Sequence, residues 1–113
     1  MVVDKMTGPD LAQVLRLWIG DNRSPLEAQG VEVSFDESPD SAGSDPVAWL
    51  DLFKGTRGGR IAVWRVRDVE LELAEVETGE VTQHHFVVRE TAEMKAIVRR
   101  LTLWVGAAGL PQL

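Results

Sequence analysis

Two adjacent histidines, His84 and His85, are the only imidazoles in the chain and the first candidates for metal or acid–base chemistry. They fall in an alternating stretch typical of a β-strand, where neighbouring side chains point to opposite faces. One metal ion therefore cannot take both, and each histidine would need carboxylate partners of its own. We predict no metal site. We interpret His84 as a hydrogen-bonded residue at the border of the core and His85 as a surface residue facing Glu72.

Other reactive side chains give no better basis for catalysis. No serine occurs in a Gly-x-Ser-x-Gly turn, and the acids of residues 36–45 lack the spacing of a calcium loop. Glu70 and Glu72 fall on one open sheet face, with no pocket to fit them for proton transfer. The Gly-Thr-Arg-Gly-Gly-Arg segment at 55–60 lacks the Gly-Lys-Ser/Thr ending of a phosphate-binding loop and predicts a hairpin turn. The sequence therefore predicts a protein that is not an enzyme and needs no cofactor.

The charged residues are grouped in blocks. The net charge is −6, from 18 acidic and 12 basic residues, and two segments contain acids without any Lys or Arg among them. The first block holds Asp36, Glu37, Asp40, Asp45 and Asp51, and the second holds Glu70, Glu72, Glu75, Glu77 and Glu80. Such blocks serve solubility, or they serve a protein partner with a basic surface. Nucleic acid is disfavoured as a partner, because its phosphates would be repelled.

The elements that position these residues follow from periodicity. Apolar residues with helical spacing predict a first helix from about residue 11 that ends near residues 20–23, after which Ser24-Pro25 can restart a short helical turn that Gly30 terminates. A closing helix is predicted after a Thr91 cap, and Gly106 terminates it. Alternation predicts a strand at 31–36 and a second strand at 47–54. Residues 37–46, rich in Pro, Gly, Ser and acids, predict an acidic mobile loop.

Residues 60–88 predict a three-stranded antiparallel meander. A two-residue turn at 67–68 would place Trp64 opposite Leu71, and a turn at 78–79 would place Leu71 opposite Phe86. Both hairpins then agree on one apolar face. The opposite face would carry Ile61, Val63, Arg65, Glu70, Glu72, Val76, Val81, His85 and Val87.

The simplest arrangement is a single α+β domain over residues 1–113, in two layers. An antiparallel meander of about five strands would carry the N- and C-terminal helices side by side on its apolar face, in the order α-β-β-β-β-β-α. The core would contain Leu11, Val14, Leu15, Trp18, Trp64, Val66, Leu71, Leu73, Phe86, Ile97, Val98 and Leu101. No stretch approaches the roughly 20 apolar residues of a membrane span, so we expect no membrane association and a cytoplasmic location.

The sheet face without helices is the candidate contact surface. About half of its residues are apolar, and an exposed face of that composition often binds a partner. β-Branched residues also suit strands for structural reasons alone, so both interpretations stay open. Self-association through this face is disfavoured because it would juxtapose glutamates, which leaves a monomer or a weak homodimer. Trp49 borders the acidic loop. The sequence does not determine which side of the sheet its side chain faces.

The chain as a whole resembles a known family. The resemblance rests on Leu-Arg-Leu-Trp at 15–18, Leu-Glu-Ala-Gln-Gly-Val-Glu-Val at 26–33, Gly-Arg-Ile-Ala-Val-Trp at 59–64, Glu-Thr-Gly-Glu at 77–80 and the closing helix. In these segments it is similar to the TriTu type of immunity proteins, which belong to bacterial polymorphic toxin systems. The resemblance implies a single-domain antidote that binds and blocks a cognate toxin domain, often a nuclease or other basic enzyme. Such proteins need no catalytic residues.

The leading hypothesis is therefore a small acidic immunity protein whose partner is a toxin with a basic surface. The residues predicted to bind that partner are Asp36, Glu37, Asp40, Asp45, Trp49, Asp51, Val63, Glu70, Glu72, His85 and Val87. Two alternatives remain open at this point. One is a secretion or folding chaperone that holds a client on the exposed sheet face. The other is a small enzyme with a site between the helices and the edge strand.

Overall fold

A computed structural model describes residues 10–38, 46–64 and 67–108. It contains α1 (Leu11–Ala28), β1 (Glu32–Glu37), β2 (Ala48–Lys54), β3 (Arg57–Val63), β4 (Asp68–Glu75), β5 (Glu80–Val87) and α2 (Thr91–Val105). The strands form one antiparallel sheet in the order β1-β2-β3-β4-β5. The predicted α+β class and element order are confirmed. Most of the predicted loop at 37–46 lies outside the described residues.

Helix α1 runs without interruption, so the predicted end near residues 20–23 is wrong. Asp10 caps the helix by accepting a hydrogen bond from the Gln13 backbone N–H at 3.2 Å. The helix then continues past Pro25, although proline removes one backbone donor. Leu26 is completely buried one residue later. The stabilisation from burying Leu26 offsets the local cost of the proline.

Helix α2 begins and ends as its sequence indicates, with one shift at the start. Glu90, rather than Thr91, is the cap, and it forms a reciprocal capping box with Glu93. Gly106 ends the helix with φ +85°, a conformation that glycine adopts without strain. Within the part of the chain that the structure describes, neither helix has the length and apolar content needed to cross a bilayer.

The β3–β4 pairing differs from the predicted register by three residues. Val63 lies opposite Val69 and Ile61 opposite Leu71, so the chain connects the two strands by residues 64–67 instead of a tight turn at 67–68. An odd shift exchanges the two faces of a strand. Ile61 and Val63 are therefore buried, at 0% and 1% exposure, and the prediction that they lie on the open face is wrong.

The β4–β5 pairing is shifted by two residues, which keeps the faces as predicted. Leu71 lies opposite His84, and Val69 lies opposite Phe86. The connection after Glu75 spans four residues, and its Gly79 has φ +79°. An even shift leaves every side chain on its own face. Phe86 therefore lies on the helix-bearing side, as the alternation predicts.

Both helices pack on one face of the sheet and enclose a single core. α1 contacts β1, and α2 lies over β2, β3 and β4. The core includes Leu11, Leu15, Trp18, Leu26, Leu50, Leu52, Ile61, Val63, Val69, Leu71, Met94, Ile97, Val98 and Leu101. The opposite face of the sheet is left without a covering layer among the described elements.

Candidate functional site

The sheet face that carries no helix is the candidate site, here called the outer face. Antiparallel pairing lines up side chains across all five strands, so residues far apart in sequence form straight rows. The residues of the outer face are Glu32, Ser34 and Asp36, then Trp49, Asp51 and Phe53, then Gly58, Arg60 and Ala62, then Asp68, Glu70, Glu72 and Ala74, and finally Val81, Gln83, His85 and Val87.

The first row combines an aromatic side chain with acids. Asp36, Trp49, Ala62, Glu70 and His85 lie opposite one another on successive strands. Ala62, between Trp49 and Glu70 in this row, is buried, so neighbouring side chains cover it. Four of these five residues belong to the predicted partner-binding set, although they come from four separate segments of sequence.

The second row contains the one arginine among the described strand residues of the outer face. Arg60 donates two hydrogen bonds to Asp51, from Nε to Oδ1 at 2.7 Å and from Nη2 to Oδ2 at 3.0 Å. This fork-shaped pairing orients both groups. The hydrogen bonds to Asp51 raise the pKa of Arg60, with Asp51 and Glu72 adding favourable charge. Arg60 is thereby neutralised by its neighbour, whereas Glu72 interacts with the uncharged amide of Gln83.

Aromatic rings flank these rows. Phe53 lies opposite Gly58, and a Cβ on that glycine would meet the ring at 2.7 Å, so the ring covers the glycine backbone. Trp64 follows β3 and donates from Nε1 to Glu70 Oε1 at 3.2 Å. The prediction that Trp64 belongs to the core is wrong, because Val63 points to the helices and the next side chain therefore points outward, where the indole lies beside an outer-face carboxylate.

Charge is distributed unevenly between the two layers. Among the described strand residues of the outer face, six are acidic and one is basic: Glu32, Asp36, Asp51, Asp68, Glu70 and Glu72 against Arg60. The two helices carry the opposite excess, with five bases and three acids. The outer face therefore presents a negative field to an approaching partner.

The predicted partner-binding residues separate into three groups. The structure brings Asp36, Trp49, Asp51, Glu70, Glu72, His85 and Val87 together on the outer face. It removes Val63, which is buried, and Glu37, which lies on the other side of the sheet against α1. Asp40 and Asp45 lie outside the described residues.

Two of these residues have partners that the sequence did not indicate. Glu37 accepts two hydrogen bonds from Arg16, at 2.7 Å and 2.9 Å, and these bonds lower the pKa of the Glu37 carboxyl. His85 lies opposite Glu70 instead of Glu72, with its Nε2 3.5 Å from Asp68 Oδ1. The pairing with Glu72 was wrong because the β4–β5 register is shifted by two residues.

Phe53, Arg60 and Trp64 are outer-face residues that sequence reasoning missed. Phe53 and Trp49 alternate on one parity of β2, and that parity was the available signal for Phe53. Trp64 was assigned to the core because the predicted β3–β4 register was wrong by an odd number of residues. The sequence analysis treated Arg60 only as part of a turn, although it pairs with Asp51 across a two-residue hairpin.

An open cleft of about 240 Å³ lies on the other side of the sheet, between β5 and the first half of α2. It is lined mainly by apolar side chains, including Phe86, Val88 and Ile97. Its carboxylate, Glu93, accepts hydrogen bonds from the backbone N–H groups of Arg89 and Glu90. These bonds lower the pKa of Glu93 and commit it to capping α2. Across residues 10–38, 46–64 and 67–108, no three His, Asp or Glu side chains gather as metal ligands would.

Comparison with known protein families gives a match over most of the chain. A family model described as "Immunity protein TriTu" matches residues 13–104, which is most of the chain and includes all seven helices and strands in whole or in part. No curated protein and no solved structure shows significant similarity to the chain.

Proposed function

The chain belongs to the TriTu immunity protein family, and on that premise we propose that it binds a cognate toxin through the outer face and neutralises it by binding alone. The toxin surface that fits this face is basic and offers apolar groups between its Lys and Arg side chains. The protein acts in the cytoplasm, where an incoming or newly made toxin would meet its targets.

The observation that carries this proposal is the combination of acids and aromatics on one face. Trp49, Phe53 and Trp64 accompany six carboxylates on a surface that neither helix covers. Tryptophan is enriched among the residues that dominate protein–protein binding energy. The acids add long-range attraction, which raises the association rate with a basic partner.

The two kinds of residue have separate roles in the proposed complex. Glu70 and Glu72 steer the toxin and accept hydrogen bonds from its Lys and Arg side chains. Trp49, the second of the five residues in its row, supplies the apolar contact that excludes water. Asp51 is held by Arg60 and contributes less to steering, because its charge is already paired.

Charge reversal on the outer face tests the proposal. In a complex with the cognate toxin, the double substitution Glu70→Lys and Glu72→Lys should weaken binding by at least about 100-fold, mainly through a slower association rate. The salt dependence of the wild-type affinity should be steep and should become shallow in the variant. Stopped-flow or surface plasmon resonance measurements at low and high salt give both quantities.

The matched control is Asp21→Lys, a charge reversal at an exposed position on α1 in the other layer. It should leave the association rate within about twofold of wild type. If both variants bind alike, the outer face is not the toxin-binding surface. If the salt dependence is weak and binding responds only to apolar substitutions, the face holds apolar segments as a chaperone would.

A further inference from the structure

The two edge strands of the sheet differ in how they are protected against pairing with another strand. β1 carries Glu32, Asp36 and Glu37, and charged side chains of this kind discourage pairing at a free edge. At the other edge, residues 81–87 read Val-Thr-Gln-His-His-Phe-Val and contain no Asp, Glu, Lys, Arg, Pro or Gly. Val81 and Val87 are 54% and 46% exposed. β5 is thus an unprotected edge in a chain of net charge −6.

The backbone of β5 offers a regular row of groups for pairing. The Val88 N–H donates to the Arg67 carbonyl at 2.8 Å, which shows that Val88 directs its backbone groups toward β4. In an antiparallel ladder this orientation alternates along the strand. Phe86, His84 and Thr82 therefore also face β4. The N–H and C=O groups of Val81, Gln83, His85 and Val87 point to the free edge, which no described strand occupies.

We propose that β5 pairs antiparallel with β5 of a second copy of this chain, about a two-fold axis that passes next to His84. In this register, Gln83 and the partner subunit's His85 exchange backbone hydrogen bonds, which matches the outward direction of their N–H and C=O groups. His84 and the partner subunit's His84 meet as a non-hydrogen-bonded pair. The result is a continuous ten-stranded sheet.

This register is self-complementary in its side chains. Val81 lies opposite the partner subunit's Val87, so both exposed valines of each copy gain an apolar neighbour. Thr82 lies opposite the partner subunit's Phe86 on the helix-bearing side. At each end, Glu80 lies within one residue of the partner subunit's Arg89, so opposite charges meet there. A second copy satisfies all these pairings at once, while its other edge, β1, is acidic and would repel itself.

Introduced cysteines test the register, since the chain contains none of its own. In the proposed dimer the two residues at position 84 have Cα atoms about 4.5 Å apart, within the range for a disulfide. His84→Cys should therefore form a disulfide-linked dimer under mild oxidation. Thr82→Cys is the matched control, because its two copies would lie about 13 Å apart along the strands. We expect His84→Cys to give at least about ten times more disulfide-linked dimer than Thr82→Cys.

Sedimentation of the purified full-length chain tests the association itself. We expect a dissociation constant between about 10 μM and 1 mM, because one strand pair buries less than an interface of standard size. Gln83→Lys places a charge on the β5 edge and should leave a monomer at every concentration. Ser34→Lys places the same charge on the exposed side of β1 and should leave the dimer intact. Circular dichroism checks that both variants are folded.

Three outcomes overturn the proposal. The first is a wild-type protein with no detectable dimer at 1 mM, where about half of the chains should be dimeric even at the weakest expected affinity. The second is equal cross-linking through positions 82 and 84, which would indicate random collision. The third is a monomeric wild type in which Thr82→Lys, a charge on the helix-bearing side of β5, weakens toxin binding, which would assign the β5 edge to a strand of the toxin. None of these depends on the proposed role of the outer face.

Discussion

Gly59 of β3 and Leu101 of α2 lie so close that a Cβ atom on the glycine would stand 2.6 Å from Leu101 Cδ1. It would also lie 2.5 Å from the Glu72 backbone oxygen, which the sheet holds in place. Gly59→Ala should therefore destabilise the protein by at least about 1–3 kcal/mol through overpacking. Urea unfolding followed by tryptophan fluorescence measures the change.

The opposite result is expected at Gly20, in the middle of α1. No atom lies within 4 Å of the position its Cβ would occupy, and the residue is exposed. Gly20→Ala should raise the free energy of unfolding by about 0.5–1 kcal/mol, because alanine loses less conformational freedom in a helix. If Gly20→Ala and Gly59→Ala lowered the free energy of unfolding by the same amount, close packing at Gly59 would not explain the effect of its substitution.

The buried position of Val63 gives a second stability prediction. Val63→Asp introduces an unpaired carboxylate at a site with 1% exposure, and we expect it to prevent folding or to lower the unfolding free energy by more than about 3 kcal/mol. Val76→Asp, at a position with 64% exposure, should stay within about 0.5 kcal/mol of wild type. Thermal melts by circular dichroism distinguish the two. A folded Val63→Asp protein of normal stability would contradict the β3–β4 register.

The Arg16–Glu37 pair should make stability depend on pH. Because Arg16 lowers the pKa of Glu37 in the folded state, the pair stabilises the protein above the ordinary glutamate pKa of about 4.3. This contribution is lost as the pH falls through the lowered folded-state pKa. Wild type should thus exceed Glu37→Gln in stability at pH 7, and the difference should shrink toward pH 3. Chemical denaturation across this range measures it, and a difference that grows on acidification would refute the assignment.

Trp49 should contribute strongly to toxin binding and weakly to folding. It is half-buried in the first row of the outer face, and Trp49→Ala should reduce toxin affinity by at least about 30-fold, corresponding to 2 kcal/mol or more. Leu103→Ala, an apolar truncation at a position of 63% exposure on α2, serves as the control and should leave affinity unchanged. Isothermal titration with the cognate toxin gives both values. Equal affinities for the two variants would remove Trp49 from the proposed interface.

Local patterns in the sequence determined the elements and the class of fold. The periodicity of α1 and α2, the alternation in β1 and β5, and the glycine that ends α2 each reflect interactions within a few residues along the chain. With one apolar sheet face and two amphipathic helices, the two-layer α+β arrangement follows from burying apolar surface. The predicted acids Asp36, Glu70 and Glu72 reached the outer face for the same reason.

Tertiary packing decided the register and, through it, the content of the site. Ile61 and Val63 form one apolar parity, and Trp64 and Val66 form another, so alternation alone allowed either set to face the core. Burial against Val69, Leu71 and the helices selects the first set. Trp64 then lies on the outer side because its side chain alternates with the buried Val63. Strand periodicity determines only that neighbouring side chains point to opposite faces. Which set faces the core depends on the free energy of packing against residues that are distant in sequence.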